Sequence, residues 1–128
     1  MVESQDSKYV AFANWCSANG IVYPNQEYPA TFDGGLVGVR ATAPIKHREA
    51  FIYVPFQCLV TPSKVRKDAQ LGPIIEENLE WFDDKEGEEG SANTFLIFLL
   101  HEWQKGAESF WKPWLDVMPE VTQFFDWD

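Results

Sequence analysis

The side chains with which this sequence could do chemistry are few and scattered. His47 and His101 are its only histidines, and Cys16 and Cys58 its only cysteines. That set does not give the ligand spacing of a zinc site. No serine or cysteine stands in a nucleophile elbow, and no glycine-rich loop of the phosphate-cradling kind opens a helix. Glu76-Glu77 and Glu88-Glu89 read as solvated faces, His47 as a turn residue, and His101, beside Glu102, as a helix-face residue. The residues taken singly therefore nominate no catalytic group and no metal ligand. Cys16 and Cys58 lie in apolar surroundings, which favours buried free thiols and leaves a single disulfide open.

Composition narrows the classes further. The sequence has 128 residues, 45% hydrophobic and 16% aromatic, enough for one small domain with a real core. Its formal net charge is −10, and Lys64, Arg66 and Lys67 form its only short basic cluster. Phosphate backbones are bound by clustered cations, so nucleic acid is excluded as an expected partner, and a basic protein is easier to attract. The first residues have neither a basic region nor an apolar core, and the longest apolar run, Phe95 to Leu100, is far too short to span a bilayer. The expectation is an intracellular protein that is not secreted and has no membrane span.

The elements that must position any site read as α+β. Tyr9, Phe12, Ala13 and Cys16 recur at helical spacing after a cap at Asp6 or Ser7, and Asn19-Gly20 stops that helix. Residues 20–35 read as irregular, punctuated by Pro24, Pro29 and Gly34-Gly35. Alternation of Val37, Val39 and Ala41 predicts a strand over about 37–43, and Ala50 to Val54 predicts a second over 50–54, with Cys58-Leu59-Val60 as a short third. Thr61-Pro62 opens a short helix, Gly72-Pro73 breaks it, and Ile74 to Phe82 continues in helical form. A charged loop is expected over 83–90. Ser91 then caps a helix to Lys105 whose apolar centre, Phe95 to Leu100, predicts burial on several sides. Short helical turns follow to Met118. The chain reads as a single domain, with residues 1–60 holding the first helix and the strands and residues 61–128 the helical part.

Several stretches, in order, resemble one family. Gly38-Val39-Arg40-Ala41-Thr42-Ala43-Pro44-Ile45, then Glu49 and Val54-Pro55, are similar to the opening strands of SET-domain protein methyltransferases. Leu71-Gly72-Pro73 follows at that family's distance. Phe98-Leu99-Leu100-His101-Glu102, then Ser109-Phe110-Trp111-Lys112-Pro113-Trp114-Leu115 and Met118-Pro119, resemble its segment of Leu-Leu-x-Glu, Ser-Phe-Trp-x-Pro-Tyr-Leu and Leu-Pro. The branch is that of the Rubisco large-subunit lysine methyltransferase and the actin-histidine methyltransferase, and the resemblance runs from about Trp15 to Phe125.

The resemblance implies a site for S-adenosyl-L-methionine. Gly38 matches a glycine of the cofactor-facing turn, Arg40 an arginine that contacts the cofactor's carboxylate, and Gln70, Leu71 and Gly72 a segment whose backbone groups meet its adenosine side. A guanidinium can clamp a carboxylate through parallel hydrogen bonds. Without the resemblance, Arg40 reads as an ordinary exposed strand residue, Gly72-Pro73 as a plain helix break, and Trp111 and Trp114 as packing. The family's other turn glycine falls on Leu36 here. The family's later Asn-His segment and late channel-lining tyrosine have no counterpart: no Asn-His dipeptide occurs, and the last tyrosine is Tyr53. The implied protein is the N-terminal, cofactor-side part of a protein-lysine or protein-histidine N-methyltransferase, an incomplete SET fold. It is expected to be inactive alone, with weak or absent cofactor binding, and to act on a protein substrate together with a missing C-terminal half or a partner chain. The alternative is a non-catalytic SET-like subunit that docks into a larger assembly through its acidic surface and the tail Phe124-Phe125-Asp126-Trp127.

Overall fold

The structure is a computed structural model that describes residues 3–82 and 89–119. The tail 124–128 lies outside these residues, as does the expected charged loop, except that residues 89–90 already belong to a helix. The described chain is α+β, with two compact units: Met1–Cys58 with Pro113–Asp128, and Leu59–Lys112.

The first unit opens with helix α1 (Glu3–Ala18), which starts earlier than a cap at Asp6 or Ser7 would allow. Its end is built as the sequence implies. Gly20 takes φ 80°, the Ile21 N–H reaches the Cys16 carbonyl at 2.9 Å, and the Asn19 side chain donates to the Trp15 carbonyl at 2.8 Å. Tyr9 and Phe12 meet Tyr28 edge-on, with ring centroids 6.4 and 5.8 Å apart. Cys16 and Ala30 are buried in this unit.

Strand β1 (Gln26–Thr31) pairs antiparallel with β2 (Val37–Ala41), with Glu27 opposite Arg40, Ala30 opposite Gly38 and Thr31 opposite Val37. The expectation for the sheet is corrected here. The partner of the 37–41 strand is 26–31, which had read as irregular, and 50–54 forms no strand. The reason is local. Pro29 interrupts the β pattern, and the register shifts between Glu27 and Ala30. The hairpin turn is made by Gly34 and Gly35, both at φ 80°, a conformation that costs glycine nothing and strains other residues. Among the described residues, 50–54 joins a ladder only through a bridge between Val22 and Tyr53, with the Gln26 side chain also donating to the Phe51 carbonyl, and Phe51, Ile52 and Tyr53 are exposed. The expected third strand at 58–60 does not form: Cys58 ends a 3-10 turn over Phe56–Cys58, and residues 59–60 have no regular structure.

The second unit is helical. The Thr61 hydroxyl accepts from the Lys64 N–H at 3.3 Å and caps α2 (Pro62–Arg66), with Pro62 at the first helical position. Helices α3 (Leu71–Glu77), α4 (Leu79–Phe82) and α5 (Glu89–Lys105) follow, then a 3-10 turn over Gly106–Glu108. Val65, Leu71, Ile75 and Phe98 are buried together with Thr94, Glu102 and Ser109. Burial of α5 on several sides is a further expectation that the structure corrects. Thr94, Phe98 and Glu102 lie on one helical face, whereas Phe95, Leu96 and Leu100 are exposed. Helix α6 (Lys112–Asp116) comes last among the described elements and, from Pro113 onward, belongs to the first unit.

Candidate functional site

Arg40 stands on β2 directly across from Glu27. One guanidinium nitrogen lies 3.4 Å from the Glu27 carboxylate, and another donates to the Thr31 carbonyl at 2.9 Å. The guanidinium carbon sits 5.4 Å from the centre of the Phe32 ring, within cation–π range. The Arg40 and Glu27 side chains are 49% and 50% exposed, so water screens their attraction and the pair is easily exchanged. Thr31 and Phe32 thus aim the guanidinium, while its carboxylate partner is replaceable. Gly38 is on the same strand, where a Cβ would come to 3.4 Å from the Phe32 ring. Leu36, at the place of the family's other glycine, is exposed, and its carbonyl accepts from the Phe32 N–H at 2.8 Å.

In the second unit, Gln70, Leu71 and Gly72 enter α3. The Asp68 carboxylate oxygen Oδ1 accepts from the Gln70 and Leu71 N–H groups at 2.8 and 2.9 Å, and the Asp68 carbonyl accepts from the Gly72 N–H at 2.9 Å. The backbone donors of this segment are therefore turned inward, and the Gln70 side chain is exposed. Gly72 is buried, and a Cβ there would lie 2.5 Å from the Arg66 carbonyl oxygen, closer than any side chain can sit. The Leu71 N–H, foremost, holds the Asp68 carboxyl below its usual range. The Gln70 N–H, His101 and Lys105 add to this, and partial burial opposes it.

The later signature residues are explained by packing. Glu102 is buried, accepting from the Ser109 hydroxyl at 2.6 Å and from Lys105 Nζ at 2.5 Å. Ser109 Oγ in turn accepts from the Trp111 N–H at 3.1 Å, and Trp111 packs edge-on against Phe98 with centroids 5.8 Å apart. Glu49 plays a similar part in the first unit, where its carboxylate accepts from the Lys46 N–H at 2.8 Å and closes a turn. These hydrogen bonds all run within the chain and shape it. An apolar groove of about 420 Å³ runs between Ile74, Trp81, Phe82, Leu96 and Leu100, and none of the residues matched to the cofactor lines it. Among the described residues no group of three or more His, Cys, Asp or Glu could hold a metal ion, and no helix is long and apolar enough to cross a membrane.

Arg40 and Gly38 are thus brought together on one strand, and Gln70, Leu71 and Gly72 at one helix start. Sequence reasoning missed Glu27, Thr31 and Phe32, because β1 had not been recognised. It also missed Asp68, although an aspartate placed two and three residues ahead of the N–H groups it caps is a readable signal.

Comparison with known proteins gives this arrangement a context: the chain is related to SET-domain methyltransferases. It is 30% identical over 105 residues to the actin-histidine N-methyltransferase of Rhinolophus ferrumequinum, covering 82% of this chain and 16% of that protein. The actin-histidine N-methyltransferase of Homo sapiens matches with the same identity and coverage, 30% over 105 residues. SET domain-containing protein 4 of Mus musculus is 26% identical over 118 residues, 92% of this chain and 25% of that protein. The chain therefore spans only 16% to 25% of the length of these relatives. No family model and no solved structure matches it.

Proposed function

We propose that these residues form the cofactor-side part of an S-adenosyl-L-methionine-dependent protein-lysine or protein-histidine N-methyltransferase of the SET type. The observation that carries the proposal is Arg40: a half-exposed guanidinium, aimed by Thr31 and Phe32, that already has a carboxylate at 3.4 Å. The donor set fits the cofactor's amino-acid end, since its carboxylate can take the place of Glu27. The cofactor would supply a methyl group on a sulfonium. Arg40 binds and orients its carboxylate, Gly38 keeps the strand thin beside it, and Gln70 offers an exposed amide in the segment matched to the adenosine side. Leu71 and Gly72 act there through the shape of the backbone.

Methyl transfer also requires a deprotonated acceptor nitrogen held in line with the methyl carbon in a channel that excludes water. Within these 128 residues no Asn-His pair and no tyrosine after Tyr53 offers itself for that channel. The residues present are proposed to bind cofactor weakly and not to turn over by themselves. The test is a titration with S-adenosyl-L-methionine followed by backbone amide shifts. Expected are shifts around residues 37–40 that saturate at about millimolar ligand, the range worth roughly 4 kcal/mol, and that vanish in Arg40→Ala. Wild-type shifts that survive unchanged in Arg40→Ala would sink the assignment of Arg40.

One observation favours a second reading, a non-catalytic SET-like subunit of a larger complex. Leu100 and Trp103 on α5 are 60% and 67% exposed, and Trp81 on α4 is 63% exposed, an apolar surface of the kind that marks interaction sites. A stable partner bound equally well by wild type and Arg40→Ala, with no response to the cofactor, would make this the better reading.

A further inference from the structure

Asp68 lies where several constraints on one corner of the helical unit meet. Its carboxylate holds the Gln70 and Leu71 N–H groups, its carbonyl holds that of Gly72, and Gly72 abuts the Arg66 carbonyl so closely that no side chain fits. From α5, His101 Nε2 lies 3.9 Å from the same Asp68 oxygen, and Lys105 adds attraction at longer range while bonded to Glu102. The nearby cations of α2 are turned elsewhere, Lys64 to the Leu59 carbonyl at 2.7 Å and Arg66 to the Phe82 carbonyl at 2.8 Å, and Lys67 is exposed. The corner is thus held by one carboxylate, with cationic support from α5.

We infer that Asp68 is a positioning residue for the Gln70–Gly72 segment, its carboxylate fixing the backbone so that the Gln70 amide is the group presented to a ligand. That ligand is S-adenosyl-L-methionine, so the inference rests on the reading proposed above. Without Asp68 the Gln70 and Leu71 N–H groups lose their acceptor, the start of α3 frays, and Gln70 no longer has a fixed origin.

The experiment pairs amide hydrogen exchange with the cofactor titration on wild type, Asp68→Ala and Asp68→Asn. In Asp68→Ala, exchange at Gln70 and Leu71 is expected to quicken by about tenfold, the usual scale of a lost helix cap, with the α5 amides unchanged. Cofactor affinity should fall by a similar factor. Asp68→Asn keeps an acceptor oxygen and should recover most of both. Wild type taken from about pH 6 to about pH 3 should lose part of its protection at these amides, judged against the intrinsic exchange rate at each pH, because the protonated carboxyl keeps an acceptor oxygen but not its charge; this covers the case of an alanine variant that does not fold. Unchanged protection at Gln70 and Leu71, in the variant or on acidification, would overturn the inference. So would quickened exchange with cofactor affinity equal in wild type and Asp68→Ala, and that result leaves the reading of Arg40 standing. No cofactor-induced shift in wild type would remove the proposed function itself, and this inference with it.

Discussion

In the hairpin unit, the Arg40 guanidinium divides its bonds between the Thr31 carbonyl and a Glu27 carboxylate that is half exposed. In the helical unit, the Asp68 carboxylate is engaged by the backbone whose course it sets, and the Glu102 carboxylate is buried against Ser109 and Lys105. Such charges do different work. An exposed ion pair has one partner that a ligand's carboxylate can replace at little cost. A carboxylate tied to backbone N–H groups, or buried with its donors, cannot change partners without changing the fold around it. Ligand contact is thus expected on the hairpin side at Arg40 itself, and on the helical side only at what Asp68 leaves outward.

The comparison breaks most sharply at Gly72. An alanine there would place its Cβ 2.5 Å from the Arg66 carbonyl oxygen, and that oxygen belongs to backbone that cannot swing aside. Gly72→Ala is expected to cost about 2–3 kcal/mol, the upper range of overpacking, read as a lowered urea midpoint. A midpoint equal to wild type would mean that the corner is looser than described. Next comes Glu102→Ala, which strips the buried Ser109 hydroxyl and Lys105 Nζ of their acceptor; an expected loss of roughly 2 kcal/mol is checked in the same way. If Glu102→Ala matched a surface substitution, the contrast between the two kinds of charge would collapse.

Acid sharpens the same contrast. The Asp68 carboxyl is held below its usual range, chiefly by the Leu71 N–H, so its contribution to stability is present above the ordinary carboxylate value of about 4. It is lost as the pH falls through the lower folded value. Urea midpoints measured from about pH 6 down to about pH 3 should therefore converge for wild type and Asp68→Asn, since a protonated Asp68 and the neutral amide of the variant carry the same charge. A difference that stayed constant over that window would show that the charge of Asp68 does not matter.

How far such features could be read beforehand depends on the range of the signal. The capped start at Thr61 and the stop at Asn19-Gly20 are local, and each stands in the structure; the strand over Val37–Ala41 is present too, but Val39 and Ala41 are exposed, so its alternation is not one of burial. The β1 strand was hidden because Pro29 and a register shift break its period, while 50–54 has strand-like residues whose only described ladder partner is Val22 through Tyr53. The α5 centre is apolar, yet only one face is covered among the described residues, and composition alone does not reveal what covers a face. Arg40 entered the candidate site through resemblance alone, because one arginine on one strand has no pattern. Glu27, Thr31 and Phe32, which give it direction, become neighbours only once the hairpin closes.

The smallest effect on stability is expected at Glu27, and it tests the exposed side of the comparison most directly. Removing a half-exposed partner 3.4 Å from a guanidinium should change the urea midpoint by no more than about 1 kcal/mol, the scale of a surface ion pair. Thr31 and Phe32 still hold Arg40 in place after Glu27→Ala. The guanidinium then has an unclaimed face, and a ligand carboxylate need no longer displace Glu27 to reach it. Affinity for S-adenosyl-L-methionine should rise by up to about fivefold, the factor that corresponds to 1 kcal/mol, and the gain should shrink in high salt. Weaker binding in Glu27→Ala would mean that the carboxylate holds Arg40 in position for the ligand and does not compete with it. Arg40 would then depend on its partner as the Gln70–Gly72 segment depends on Asp68, and the two units would be built on one plan.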